Sequence, residues 1–252
     1  MTITVVVPVS PIRFHPDISI LTETIESVRY WLPDAEIVIT FDGVRTENEL
    51  WRHNYELAIH RALELADTKQ EDGGWHPVVP HIFGDHMHQT GMLRHVLPHI
   101  TTPLMLYLES DTPLVTDEPI DWAALSDAVL SGTSNMIRLY HEAVMPSAHT
   151  HLMHGDEPGY PLIRTSQWSQ RPHLASTAYY RRIMAGCFSR NAKSFIEDKM
   201  YGVVDEAYNI DGLVGWCQHR VHLYRPPGNN WKRSLNLDGR GGAPKLDEDQ
   251  VF

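Results

Sequence analysis

The sequence predicts an α/β fold in which helices flank a central, mostly parallel β-sheet within one large domain. Over the first half, short β-branched or apolar runs alternate with segments whose apolar residues recur at helical spacing. That alternation is typical of strands joined by helical crossovers. The chain has 252 residues and no internal repeat, so one large domain, or at most two, can enclose a core of its own.

The first half supplies four strands and three helices. Residues 3–9 form a β-branched run, and Leu21, Ile25 and Val28 then recur at helical spacing up to Pro33, which ends that helix. Further strands are predicted at residues 36–41, 78–83 and 104–108, and further helices at residues 46–66 and 92–100. Thr46 and Glu49 have the spacing of a capping box, which predicts that the second helix begins at Thr46.

The second half is less regular. We expect a helix at residues 122–130, a strand at residues 135–140 and a short helix at residues 190–201. Residues 145–172 are rich in Pro, His, Gly and Ser, which predicts loops that shape a site. From Pro226 onward, glycines, prolines and charges predominate, which indicates a flexible tail or a lid.

The charge balance narrows the class of partner. Lys and Arg number 21 against 32 Asp and Glu, a formal charge of −11 with neutral histidines, whereas duplex nucleic acid requires a cationic surface.

Cys187 and Cys217 cannot build a disulfide framework, which favours a reducing compartment. We see no signal-peptide pattern and no run near the roughly 20 apolar residues of a membrane span. We therefore expect a cytoplasmic protein.

The most informative segment is residues 104–113, where an apolar strand runs into Glu109, Ser110 and Asp111. The two carboxylates lie two residues apart and leave an extended chain on the same face. Open α/β sheets bind ligands at the carboxyl ends of their strands, and two hard oxygen donors there can hold Mg²⁺ or Mn²⁺. The alternative is a solvated strand end closed by a turn.

This segment resembles the acidic DxD element of GT-A glycosyltransferases of the family-2 type, with Glu109 where that family has Asp. Three other segments match the family in order. They are the opening strand and its loop at residues 5–10, the end of the second strand at residues 40–43, and an arginine-bearing helix at residues 89–94. The resemblance covers about residues 3–225 and implies a GT-A, Rossmann-like fold.

The resemblance also implies roles for individual residues. Nucleotide and diphosphate contacts would come from Pro8, Val9, Ser10, Asp42, Arg94 and Ser110. The domain at residues 1–225 would comprise a nucleotide-binding half (about 1–113) and an acceptor half (about 114–225). From the tail at residues 226–252, Lys232, Arg233 and Arg240 could close over the diphosphate and supply the cations that a net-acidic protein needs.

A second acidic pair, Glu197 and Asp198, resembles the ED element of the same family. The resemblance implies that Asp198 is the general base that takes the proton of the attacking hydroxyl, while Glu197 orients it or touches the acceptor. A histidine further along the family's chain often completes the metal site, and His222 is our first candidate for it, with His219 second. A solvated helical turn and an ordinary histidine are the plain alternatives.

The carboxylate pairs and this resemblance together imply a metal-dependent, inverting glycosyltransferase of the hexosyltransferase type. It would use Mn²⁺ or Mg²⁺ and move a sugar from a nucleoside diphosphate donor, UDP before others, to a hydroxyl of unknown acceptor. A modified base in nucleic acid remains open as that acceptor. The alternatives are a sugar-phosphate nucleotidyltransferase, a di-metal hydrolase built on the histidines of residues 149–154, and an inactive nucleotide- or glycan-binding module.

Overall fold

A computed structural model describes residues 3–13 and 15–237, and within them nine strands form a single sheet. The strands are β1 (Ile3–Val9), β2 (Glu36–Phe41), β3 (Val78–Ile82), β4 (Leu104–Tyr107), β5 (Met136–Arg138), β6 (Met153–Asp156), β7 (Leu162–Thr165), β8 (His173–Ser176) and β9 (Val221–Tyr224). The helices are α1 (Ser19–Trp31), α2 (Arg52–Asp67), α3 (His88–Val96), α4 (Trp122–Leu130), α5 (Thr177–Gly186), α6 (Ile196–Asp211) and α7 (Leu213–Trp216). The predicted α/β fold, one domain with helices flanking a central sheet, is confirmed.

The strand order is β3-β2-β1-β4-β8-β5-β9-β7-β6. The sheet is mixed rather than mostly parallel, because β8 is antiparallel to both β4 and β5, and β7 is antiparallel to both β6 and β9. The outer strand β3 contains Pro80, and β6 at the other edge pairs with an irregular register. The strands β1, β2 and β4 are parallel, so their carboxyl ends lie side by side.

The core lies on both faces of the sheet. Every residue of β1 is buried, as expected for a strand covered by helices on both sides. On one face, Ile25 and Val28 of α1 and Tyr55 of α2 pack with the alternate β1 residues Val5 and Val7. On the other face, residues of α3, α5 and α6 form a second apolar cluster. No helix within the described ranges is both long and apolar enough to cross a bilayer.

The prediction that a capping box begins the second helix at Thr46 is wrong. Residues Thr46–Trp51 form a 3-10 turn, and the α-helix begins only at Arg52. The reason is the partner of Glu49, whose carboxylate accepts hydrogen bonds from the Arg52 guanidinium at 2.6 and 2.9 Å. It therefore does not reach back to the start of the helix as a capping box requires.

The region predicted as loops, residues 145–172, contains β6 and β7 as well as a 3-10 turn. The sequence interpretation also missed β8 and α5, and α6 extends ten residues beyond its predicted end at Tyr201. Ser176 caps α5 by accepting a hydrogen bond from the Tyr179 amide at 3.3 Å, which is a signal that the sequence offered.

The first part of the predicted tail is packed against the domain. Ser234 pairs with Leu114 and Lys232 with Tyr140 through isolated β-bridges, and Arg233 is 1% exposed. Residues 226–237 are therefore held against the domain in this structure and do not form a loose tail. The remainder of the predicted tail lies outside the described residues.

Candidate active site

A pocket of about 690 Å³ opens where β1 and β4 end. It brings together six residues that the sequence placed in the donor and metal sites: Pro8, Val9, Ser10, Glu109, Ser110 and Asp111. Because β1 and β4 are parallel neighbours, the loops that follow them meet at the same edge. Most of the remaining lining residues are apolar or aromatic, including Phe41 and Tyr55, and Gln89 is among the polar ones.

The surroundings of Glu109, which follows β4, disfavour the charged form of its carboxyl group. Burial and the nearby Asp111 carboxylate raise the pKa of Glu109 to about 7, because both favour the neutral form of the carboxyl group. The Gln89 side chain opposes this by donating a hydrogen bond from Nε2 to Glu109 Oε1 at 2.7 Å. A carboxyl group with such a pKa, lining a pocket, is a candidate functional group.

The second acidic pair lies in the first turn of α6, where carboxylates complement the positive end of the helix. Its two members point in different directions. Glu197 Oε2 accepts a hydrogen bond from the Gln170 amide at 2.9 Å. Asp198 is exposed and lines a second, polar cleft of about 840 Å³. Phe195 lines both that cleft and the first pocket, so Asp198 lines a space that adjoins the pocket of Glu109 and Asp111.

Two glutamines that the sequence analysis did not assign connect these pairs. The Gln170 side-chain amide donates to Gln89 Oε1, and its own Oε1 accepts from the Glu197 backbone amide at 3.3 Å. With the Gln89–Glu109 bond, this makes a continuous chain from β4 to α6. The two glutamines are 81 positions apart, so local sequence pattern carries no signal for their contact.

Asp42 does not have the predicted nucleotide-reading role, because its carboxylate is occupied. Oδ1 accepts hydrogen bonds from the Gly43 and Met87 amides at 2.9 and 2.6 Å, and Oδ2 accepts from the His88 amide at 3.0 Å. His86 Nδ1 lies 2.8 Å from Oδ2. Asp42 is 1% exposed, and it fixes the loop after β3 against the end of β2.

Arg94 is also placed away from the donor pocket. Its guanidinium donates to the carbonyls of Ser189 and Arg190 at 2.9 and 2.7 Å, and it lines neither cleft. The correction follows from its position on α3, since the side chain reaches the loop after α5 on the same face of the sheet. Arg94 therefore anchors that loop.

His222 is not the third metal ligand. Its side chain is 0% exposed, with Nδ1 at 2.9 Å from Ser134 Oγ and Nε2 at 3.1 Å from Glu157 Oε2. Strand β9 lies three strands away from β4, roughly 14 Å across the sheet at about 4.8 Å per strand. Ser134, His222 and Glu157 are connected in the order of a catalytic triad. Ser134 is buried with His222, which excludes it as a nucleophile.

The other histidine candidates likewise form no metal centre. His219 Nδ1 contacts the Tyr179 hydroxyl at 3.2 Å, and His154 stacks on Tyr208 with ring centroids 3.4 Å apart. Within residues 3–13 and 15–237, no group of three or more His, Cys, Asp or Glu side chains is arranged to hold a metal ion. The run at residues 149–154 therefore lacks the cluster that a di-metal hydrolase needs.

The predicted cations of the tail do not reach the pocket. The buried Arg233 guanidinium donates to the carbonyls of Pro119, Asn230 and Lys232 at 2.8, 3.0 and 2.6 Å. Lys232 lines neither cleft. Arg240 lies outside the described residues. Arg233 is instead a packing element that fixes the segment in which it lies.

No family model and no curated protein matches this sequence. Solved structures do. Residues 1–349 of S. aureus TarS in complex with UDP-GlcNAc align over 93% of this chain and 58% of the other, with 11% identity and a TM-score of 0.55. TarS 1–349 without that ligand gives 12% identity, 94% and 60% coverage, and a TM-score of 0.53. At this identity the likeness establishes a shared fold, and the chain spans about 60% of the length of TarS 1–349.

A mannosyltransferase from Pyrobaculum calidifontis in complex with GDP-Man and Mn²⁺ aligns over 91% of this chain and 58% of its own. Identity is 13% and the TM-score is 0.49. That likeness is too weak to support an argument.

Proposed function

We propose that this protein is a glycosyltransferase that takes a sugar from a nucleoside diphosphate donor bound in the pocket at the ends of β1 and β4. The observation that carries the proposal is the carboxylate pair Glu109 and Asp111 inside that pocket, with Asp198 of α6 in the adjoining cleft. The shared fold with TarS, which has been solved with UDP-GlcNAc, supports UDP-sugars as the first donors to test.

Glu109 and Asp111 would hold Mn²⁺ or Mg²⁺. These two carboxylates suit such an ion, since Mg²⁺ is commonly bound by one or two carboxylates with water and substrate phosphates completing its coordination. The raised pKa of Glu109 supports the same assignment, because a divalent cation would offset the repulsion between the two carboxylates. When bound, the metal would stabilise charge that develops on the leaving diphosphate. Ser10 and Ser110, which line the same pocket, would donate to the diphosphate oxygens.

Asp198 would be the general base that takes the acceptor proton. Its carboxylate lines the polar cleft that adjoins the donor pocket across Phe195. An acceptor in that cleft would present its hydroxyl to Asp198 and attack the sugar from the side away from the diphosphate, with inversion. Glu197, which is turned toward Gln170, would position the helix turn that carries the base.

A donor screen tests the proposal directly. We expect Mn²⁺ with UDP to raise the unfolding temperature, and slow release of UDP from at least one UDP-sugar. Asp111→Asn should abolish both responses, because it removes one of the two carboxylates. Stabilisation by nucleoside triphosphates with no response to UDP would indicate a nucleotidyltransferase. The absence of stabilisation and of hydrolysis with every nucleotide sugar would overturn the proposal.

The base assignment has its own test. Asp198→Asn should retain metal-dependent UDP binding and lose at least about 100-fold in turnover, the usual contribution of general base catalysis. The matched control is Glu206→Gln, which removes one exposed carboxylate two turns further along α6 and should leave turnover unchanged. Near wild-type turnover in Asp198→Asn would show that the base lies elsewhere.

A further inference from the structure

We infer that Gln89 and Gln170 are positioning residues, a two-amide relay that fixes the first turn of α6 relative to the acidic end of β4. The inference rests on the proposed function for its catalytic meaning. Its structural content is independent, because it links three elements that are distant in sequence: α3, the loop before β8, and α6.

Each amide in the relay has one permitted orientation. The Glu197 backbone amide can only donate, so Gln170 Oε1 faces it and the Gln170 side-chain nitrogen faces Gln89 Oε1. The Gln89 nitrogen therefore faces Glu109 Oε1 and donates to it. The Gln170 backbone amide completes the link by donating to Glu197 Oε2 at 2.9 Å. Reversal of either amide would oppose like groups along the relay.

Burial makes the relay difficult to bypass. Gln89 and Gln170 are 6% and 4% exposed, so water cannot readily replace a missing partner. A buried donor or acceptor left without a partner carries the full desolvation penalty. Any displacement of the α6 terminus relative to β4 therefore breaks at least one bond of the relay. This rigidity holds Asp198, the next residue along α6, at a fixed distance from Glu109.

Gln170 acts through its neighbours rather than on a ligand. It lines neither the donor pocket nor the second cleft. Its side chain bonds to Gln89 and to Glu197, and it also interacts with the buried Tyr107 hydroxyl. Gln89 does line the donor pocket, so its replacement affects both the relay and the pocket. Gln170 is accordingly the better residue at which to separate positioning from binding.

The kinetic test compares Gln170→Leu, Gln89→Leu and the double variant. We expect Gln170→Leu to lower kcat about 10- to 100-fold, as supporting hydrogen bonds around a site commonly do, while KM for the donor changes less than about threefold. If the two amides act as a unit, the double variant will be no worse than the poorer single variant. Multiplicative losses, or a change in KM alone, would overturn the inference.

Two further variants guard against a general loss of structure. Gln170→Met is similar in length, adds no charge and removes both side-chain hydrogen bonds of Gln170, and it should reproduce the loss in kcat. Asn135→Leu removes an amide-to-carbonyl bond of 2.9 Å to His219 at the opposite edge of the sheet. It should lower the unfolding temperature comparably and leave kcat unchanged. Equal effects of Asn135→Leu and Gln170→Leu on kcat would count against a positioning role.

Hydrogen exchange tests the structural part of the inference and requires no enzymatic activity. Gln89→Leu should speed amide exchange in residues 196–200, although Gln89 has no hydrogen bond to that segment other than through Gln170. Unchanged exchange there would overturn the relay. If the wild-type protein binds no nucleotide yet shows this coupling, the proposed function fails and the relay stands as a structural device.

Discussion

At the scale of single residues, His173 is the most constrained titratable group next to the site. It lies three positions after Gln170, and burial lowers its pKa to about 3. Nδ1 lies 2.7 Å from the Arg171 carbonyl and Nε2 2.5 Å from the Tyr180 hydroxyl, so the neutral ring donates to the former and accepts from the latter. The ring also stacks on Tyr107 and Tyr180. These aromatics, with the fully buried Trp168, form core packing.

His173 should make stability fall with acid. Its pKa is about 6.5 when exposed and about 3 in the fold, so the stability that it contributes is complete above pH 6.5 and is lost as the pH falls toward 3. Between pH 7 and pH 5 this loss amounts to about 2 kcal/mol. Urea unfolding at the two pH values, in wild type and in His173→Asn, measures it. The variant should be less stable at pH 7 and lose about 2 kcal/mol less on acidification; equal losses would contradict the assignment.

At the scale of elements, His222 connects β9 to the segments that precede β5 and follow β6. Its ring bridges Ser134 and Glu157, and Trp216 meets it edge-on with centroids 5.0 Å apart. Glu157 is held from the other side by Arg164, with a distance of 2.7 Å between Oε2 and Nε. His222, which resembled a metal ligand, is therefore a buried residue that links β9 to its neighbouring segments by hydrogen bonds.

His222→Asn should destabilise the protein without affecting the donor. The shorter amide keeps a partner for Ser134 but loses the contact with Glu157, and we expect a loss of about 1–3 kcal/mol in the free energy of unfolding. Mn²⁺-dependent UDP affinity should stay at the wild-type value. Asp111→Asn should show the reverse, with stability kept and affinity lost. A large loss of metal affinity in His222→Asn would restore the rejected ligand role.

At the scale of the whole molecule, residues 231–237 connect the two predicted halves. This segment bridges Leu114 and Tyr140 and also bonds to the backbone of Asp111 and Pro113. Arg233 fixes it from beneath through three carbonyls. The boundary placed at residue 225 by composition therefore does not coincide with the edge of the packed structure.

Arg233→Met should lower stability and leave donor affinity intact. Methionine fills part of the space but leaves the carbonyls of Pro119, Asn230 and Lys232 without their donor, and we expect a loss of about 2–4 kcal/mol in the free energy of unfolding. Thermal and urea unfolding measure this loss, and UDP titration with Mn²⁺ provides the control. A selective loss of UDP affinity with unchanged stability would instead assign Arg233 to the diphosphate.

Sequence periodicity was sufficient for the elements with long apolar runs. The runs at β1 and β4 predicted buried parallel strands, and the polar residues directly after them, Ser10, Glu109 and Asp111, do line one pocket. Position along a strand thus predicts which side chains reach the edge. It does not predict β8, whose four residues pair antiparallel between β4 and β5 and carry too short a pattern to identify.

The failures at individual residues share a different cause. Asp42 and Arg94 have the residue types and positions of ligand-binding groups, but backbone amides and carbonyls far along the chain occupy them. The relay of Gln89 and Gln170 was missed for the same reason. Which partner a polar side chain finds depends on long-range packing, and a residue's own sequence neighbourhood does not record it.

Pro80 and the irregular pairing of β6 have a consequence for encounters between copies of the chain. An outermost strand is a template on which another chain can add its backbone, and Pro80 interrupts that template because it has no N–H to donate. At the other edge, the register of β6 shifts between Met153 and Asp156, which twists the rim away from a straight ladder. Both rims of the nine-stranded sheet thus resist growth into a larger intermolecular sheet, and the protein is guarded against that route to aggregation.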